Sequence, residues 1–182
     1  MFSRKIFGVF IFSAIAIFLP SQALATESFH PHIDAISGSV LVNACPTVVF
    51  DAIKKSRYQD PSRRKVVQSD EKSAVLEENF KGLPILGDVN CRYKEVEYGQ
   101  KRIEYQILAS DKFKSFDGAW EVEPVQDGKA TLLKLSSHVE SQIHVPFAKQ
   151  ITAVGTRKDI KRRLNHIKES VEHDSSTKPS ST

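Results

Sequence analysis

The chain has 182 residues, a hydrophobic fraction of 40% and a net charge of +4, from 26 Lys and Arg against 22 Asp and Glu. So small a basic surplus argues against a nucleic-acid footprint, and past the amino terminus no apolar stretch approaches the ~20 residues of a membrane-spanning helix. The length suits one domain with a substantial core.

The amino terminus reads as an address rather than as fold. Arg4 and Lys5 precede an uncharged apolar run from Ile6 to Leu19, and Ala23-Leu24-Ala25 supplies small residues for cleavage. These features predict a signal peptide over residues 1–25, cut between Ala25 and Thr26, and a periplasmic or secreted product. Its removal takes away Arg4 and Lys5 and lowers the charge from +4 to +2. Residues 26–37 read as a leader, 38–173 as the folded domain, and 174–182 as a disordered tail rich in Ser and Thr.

Within the domain, Ser39 to Ala44 reads as a first strand. Pro46 fits the first position of a helix, where its missing N–H costs nothing, and Val49, Phe50 and Ile53 form that helix's apolar face. The basic stretch from Lys54 to Arg64 reads as a turn or a second short helix. Strands follow at Lys65–Gln68 and Ala74–Phe80, then a loop from Lys81 to Gly87, then strands at Asn90–Tyr98 and Arg102–Ala109 around the hairpin signal Gly99-Gln100-Lys101. In the next strand Phe116, Gly118, Trp120 and Val122 share one face. After the turn at Asp127-Gly128, Thr131, Leu133, Leu135, Ser137, Val139, Ser141 and Ile143 alternate with mostly polar residues, the pattern of a sheet with one dry face. A long helix opens at Pro146, about 40 Å from 146 to 172, with Phe147, Ile151, Val154, Ile160, Leu164, Ile167 and Val171 on its apolar face. Gly155 inside it marks a bend or a close backbone approach.

Four features, taken in order, carry a family resemblance. They are Pro46 with Val49-Phe50, Phe116-x-Gly118-x-Trp120, Thr131 after its turn, and Val145-Pro146-Phe147 at the helix start. From about Gly38 to Glu172 the chain resembles the START-like (SRPBCC) superfamily, its polyketide cyclase/dehydrase and coenzyme-Q-binding branches above all. The resemblance implies an α+β helix-grip fold: a seven-stranded curved antiparallel sheet wrapped around the long carboxy-terminal helix, with two short helices after the first strand. It also implies a cavity for a lipid, sterol, quinone or polyketide, which some members transform and many only carry.

The candidate wall of that cavity is Tyr105, Trp120, Leu133, Leu135, Val139 and Ile143 from the sheet, facing Phe147, Ile151 and Val154 from the helix. Ser137 and Ser141 fall on the same face and could orient a ligand oxygen; close packing of a solid core is the plain alternative. Leu83, Pro84, Ile85 and Leu86 form an apolar loop tip that could gate a cavity, touch a membrane or a partner, or fold back on the core. Arg157, Lys158, Lys161, Arg162, Arg163 and Lys168 read as a solvated helix face or a docking surface for anionic headgroups.

Catalytic and metal-ligating sets are missing. No nucleophile elbow, phosphate loop or Cys/His arrangement occurs. Alternation places Glu95, Glu104 and His138 on the outer face, which leaves Tyr105 as the one inward candidate for polarising a carbonyl. His30 and His32 have no acidic or cysteine companions, His166 and His173 read as solvated, and His138 and His144 stand about 20 Å apart on one strand face. No cofactor is implied.

Two cysteines, Cys45 and Cys91, remain for an oxidising compartment, which favours their pairing. A bridge would close a loop of about 47 residues and stabilise by roughly 4 kcal/mol in the chain-entropy model. The START-like arrangement implies that both lie at the same end of the sheet with two strands between them, about 14 Å, against the ~4.4–6.8 Å between Cα atoms that a disulfide spans. Both outcomes stay open. The sequence thus predicts a noncovalent carrier or sensor of a hydrophobic small molecule or lipid, with a cyclase/dehydrase-type enzyme or a partner-binding module as alternatives.

Overall fold

The computed structural model describes residues 34–143 and 146–176. The expected signal peptide, most of the leader, His30, His32, His144 and the last residues of the tail lie outside them. The elements are β1 (Ile36–Val42), α1 (Pro46–Ser56), β2 (Arg64–Ser69), β3 (Ser73–Leu83), β4 (Gly87–Tyr98), β5 (Arg102–Ser110), β6 (Phe113–Val125), β7 (Ala130–Ser141) and α2 (Ala148–Ser176). One seven-stranded sheet has the order β1-β7-β6-β5-β4-β3-β2 with every neighbouring pair antiparallel. It curves around α2 in a helix-grip arrangement, as the resemblance implies.

Period-two alternation determines the dry face. On β3 it is Ala74, Leu76, Glu78 and Phe80; on β4, Val89, Cys91, Tyr93 and Glu95; on β7, Thr131, Leu133, Leu135 and Ser137. A shift of one residue would turn each of these sets to solvent. The helix α2 packs on β1, β7 and α1, burying Ile160, Leu164, Ile167 and Val171. It sits so close to β1 that a Cβ on Gly38 would stand 2.9 Å from Ile160 Cγ2. Val49, Phe50 and Ile53 of α1 complete the core. Thr131 is buried with its hydroxyl donating to the Ala44 carbonyl at 2.7 Å, which ties the start of β7 to the entry of α1.

Several expectations need correction. A second short helix after β1 does not form: turns occupy 57–63, because Arg57, Arg63 and Arg64 are drawn into ion pairs with sheet carboxylates. Instead of a seven-residue loop, β3 and β4 run on to Leu83 and Gly87 and leave a tight turn between them. The first strand begins at Ile36, inside the stretch read as leader, and α2 runs to Ser176.

Cys45 and Cys91 are both free thiols. Four antiparallel steps separate β1 from β4, so these strands run in the same direction. Cys45 follows the end of β1 while Cys91 stands near the start of β4, which puts them at opposite ends of the sheet.

Candidate functional site

The predicted wall divides in two. Tyr105, Trp120, Leu133, Leu135 and Ser137 are buried on the dry face, and Val139 packs against the core they form. Tyr105 fits because residue 118 is glycine: a Cβ there would lie 2.4 Å from the Tyr105 hydroxyl and 2.1 Å from the Ser136 carbonyl oxygen. That hydroxyl donates to the same carbonyl at 3.1 Å. The other members do not join the wall. Phe147 is 72% exposed, Val154 63% and Ile143 36%, while Ile151 and Ser141 are only half-buried. Phe147 stands before the helix at a positive φ of 63°, since α2 opens at Ala148 rather than at Pro146, and Val154 is exposed although it shares the helical phase of Ile151. Gly155 lies in the same stretch, and a Cβ on it would meet nothing within 4 Å, so it marks no close approach.

The middle of the dry face is filled by rings. Phe80, Tyr93, Tyr105, Phe113 and Phe116 pack together with centroid separations from 5.0 to 6.1 Å, within the usual range for favourable aromatic pairs.

Above these rings stands a charged cluster that the sequence reading missed. The Glu78 side chain is fully buried. It accepts from Arg64 Nε at 2.9 Å, Arg163 Nη2 at 3.1 Å and the Tyr93 hydroxyl at 2.9 Å, with Arg63 Nη2 at 3.2 Å. Arg163 also donates to Asp159 Oδ2 at 2.6 Å, and Arg162 pairs with Asp159. Arg63 and Arg163 lie over the Phe80 ring at 5.7 and 5.8 Å, in cation–π range. Burial by itself would raise the pKa of Glu78; Arg163, Arg64, Arg63 and the Tyr93 hydroxyl outweigh it and hold the carboxyl at about 2. Burial works against the charge on Arg163 as well, and Asp159 and Glu78 more than restore it. Of the basic residues read on the α2 surface, Arg163 therefore turns inward, and Lys168 is tied to the Leu41 carbonyl and to Glu172.

Beside this cluster a hollow of about 250 Å³ opens between the segment after α1, β3 and α2. Trp120 and Ile167 form its apolar part; Arg63, Arg64, Arg162, Arg163, His166 and Glu78, with Ser56, Gln59 and Asp60, form the rest. It lies between sheet and helix, where the fold implies a ligand space, but it is more polar than the sequence predicts. A larger depression of about 490 Å³ lies by β2, β3, β4 and the end of β5, with outward-facing Glu77, Asn79, Asn90 and Arg92 in its lining. Its lining side chains are mostly polar, with Pro61, Cys91 and Ala109 among them.

The remaining candidates fall elsewhere. Leu86 is buried and Leu83 packs on the core, whereas Ile85 is 54% exposed at a positive φ of 67° and Pro84 is exposed. The loop is thus half folded back, with the Leu86 carbonyl accepting from Lys112 Nζ at 2.6 Å. Glu95 corrects the outward placement given above. It faces inward on β4 and pairs with buried Arg57 at 2.6 Å, because β4 keeps its alternation from Val89 to Glu95. His138 does face outward yet is buried, its Nδ1 3.2 Å from Ser115 Oγ and 3.3 Å from Asp117 Oδ1. Ser115 donates its proton to Asp117 rather than to the imidazole, which is not the arrangement of an activated nucleophile. Among the described residues no group of three His, Cys, Asp or Glu is placed to hold a metal ion.

Residues 34–172 match the family model described as polyketide cyclase/dehydrase and lipid transport. The chain belongs to this family. No curated protein matches it. Among solved structures it is similar to the Zhui aromatase/cyclase from a Streptomyces species, with a TM-score of 0.67 at 12% identity, covering 76% of this chain and 93% of that one. A Thermus thermophilus protein gives 0.62 at 16% identity, covering 78% and 99%. A START superfamily protein from Mycobacterium smegmatis gives 0.59 at 15% identity, covering 76% and 97%. Likeness at these identities establishes the fold. It agrees with the START-like resemblance carried by Pro46, Phe116-x-Gly118-x-Trp120 and Thr131.

Proposed function

We propose that this family member binds a lipid, quinone or other apolar small molecule between the sheet and α2 and acts as a carrier or sensor in an extracytoplasmic compartment. The observation that carries this reading is the hollow beside Trp120, which sits between concave sheet and helix and sets the apolar surfaces of Trp120 and Ile167 in a mostly polar lining. Membership of a family described by lipid transport as well as cyclisation supports it. Binding pockets for small molecules commonly span ~300–1,000 Å³, so a volume of about 250 Å³ suits one end of a ligand, with more admitted only if side chains move. Native mass spectrometry and solvent extraction of freshly purified protein test the reading. A co-purifying apolar molecule supports it; a bare chain that also ignores added fatty alcohols and quinones opposes it. Export is tested separately by the amino-terminal sequence of the mature product, expected to begin at Thr26.

A cyclase/dehydrase-type activity is favoured by one specific feature, the inward Tyr105. Burial raises its pKa, which speaks against service as a base, and to donate to a ligand carbonyl its hydroxyl would have to leave the Ser136 carbonyl. Loss of turnover in Tyr105→Phe with binding retained would mark this second reading. A partner-binding role for Leu83–Leu86 rests on the exposed Ile85, and an Ile85→Ser variant that keeps every interaction of the native chain would remove it.

A further inference from the structure

The guanidinium cluster carries more positive charge than its carboxylates neutralise. Arg63, Arg64, Arg162 and Arg163 converge on the hollow. Glu78 and Asp159 are the carboxylates that pair with them. Asp60, also in the lining, is committed to the Ser62 hydroxyl at 2.6 Å. Even with all three acids ionised, one cation remains over. Arg63 shows the shortage of acceptors directly: its Nε is buried without a hydrogen-bond partner. A buried donor left without an acceptor is unfavourable, because it has given up water and gained nothing in exchange. Burial also lowers its pKa below the usual arginine value, as do neighbouring Arg162 and Arg163. Beside these cations, Trp120 and Ile167 offer apolar surface in the same hollow.

We propose that the hollow receives the oxyanion end of an otherwise apolar ligand, a carboxylate or phosphate group held by Arg63 and Arg162 with its hydrocarbon or aromatic body against Trp120 and Ile167. The inference deepens the apolar-ligand reading and rests on it. An oxyanion supplies the acceptors that the cluster lacks, and planar guanidinium forks match carboxylate and phosphate geometry. Charge-assisted hydrogen bonds of about 1.5–3 kcal/mol correspond to tenfold or more in affinity.

Trp120 is the chain's single tryptophan and reports occupancy of the hollow by its own fluorescence. The full chain is titrated with decanoate, decyl phosphate, decan-1-ol and inorganic phosphate, then the titrations are repeated with Arg63→Gln and Arg162→Gln. The expected result is that decanoate or decyl phosphate binds at least about tenfold tighter than decan-1-ol. Either substitution should erase that preference and leave the affinity for decan-1-ol unchanged. The better of the two amphiphiles identifies the anion. Equal affinity for decan-1-ol, or a preference that survives both substitutions, overturns the anion assignment while the apolar-ligand reading stands. Binding of inorganic phosphate as tight as decyl phosphate overturns the role given to Trp120 and Ile167. If no probe binds, both readings fall. Arg162 is half-exposed, so its variant keeps the test decisive even if Arg63→Gln does not fold.

Discussion

The two halves of the sheet meet the same helix on different terms. On the β1-β7 side, Val42, Leu133 and Leu135 offer a surface of hydrocarbon, and α2 packs on these strands through Ile160, Leu164 and Ile167 with little besides shape to satisfy. On the β4-β3-β2 side the dry face carries Glu78, Tyr93 and Glu95, and every one needs a partner from another element: Glu78 takes Arg163 from α2, Arg63 from the segment after α1 and Arg64 from the start of β2, Glu95 takes Arg57, and the Tyr93 hydroxyl donates to Glu78. The first half is organised by area removed from water, about 25 cal/mol per Å². The second is organised by charges that are costly to bury alone. The hollow lies on the second side, where polar groups have already displaced hydrocarbon, and this is why a ligand with a charged end suits it better than a wholly apolar one.

The sharpest way to break this contrast is Glu78→Gln. It leaves three guanidiniums short of their carboxylate, and removing one partner of a buried ion pair costs about 3–5 kcal/mol, read as a drop in the urea midpoint. A cost below about 1 kcal/mol, the range of exposed pairs, would mean that the cluster is not held together by Glu78.

Acid titration probes the same group. Its folded pKa of about 2 lies below the ordinary 4.5, so its contribution is fully present above pH 4.5 and is lost as pH falls towards 2. The shift corresponds to about 3 kcal/mol. Urea unfolding at a series of pH values should show that loss in the native chain, and Glu78→Gln should flatten it.

Within the β6-β7 pair, Gly118→Ala should cost about 1–3 kcal/mol as an overpacked site, since its Cβ would meet the Ser136 carbonyl and the Tyr105 hydroxyl. By contrast Gly155→Ala, early in α2 with open space around its Cβ position, should stabilise by up to about 1 kcal/mol. The same thermal melts rank the two; a stabilising Gly118→Ala would mean that these strands are not in close contact.

The smallest effect is kinetic. Cys91 is buried, and burial first and Glu78 second push its thiol up to about 12, whereas Cys45 is exposed. A thiol reagent should label one cysteine in the native protein and two in urea, because the thiolate is the reacting form. An intramolecular bridge after mild oxidation would contradict the opposite-ends placement.

Much of this was legible in the chain. The run from Thr131 to Ser137 announces a one-sided sheet and its faces stand as alternation requires, whereas the alternation breaks at His138 and residues 116–120 of β6 are buried on both faces. Glu78 was legible in principle too. It sits in phase with Ala74, Leu76 and Phe80, and a carboxylate on a dry face signals a buried partner. Arg163, next to Leu164 on the inward stripe of α2, carries the matching signal. Both were hidden by reading each charged residue as solvent-facing. Phe147 failed because the helix starts one residue after it, and Val154 because helical periodicity says which residues share a side without saying how far along that side the burial extends.

Local patterning by itself thus determined the order of the strands, the long terminal helix, the apolar part of each strand's inward set and the family resemblance, because backbone geometry imposes periods of 2 and 3.6 on any sequence that buries one face. Only the tertiary structure decided which charges turn inward and meet, which end of the sheet each cysteine occupies and which apolar residues near the start of α2 stay exposed. Those outcomes depend on contacts between residues as distant as Glu78 and Arg163, and no local period encodes a distance across the fold.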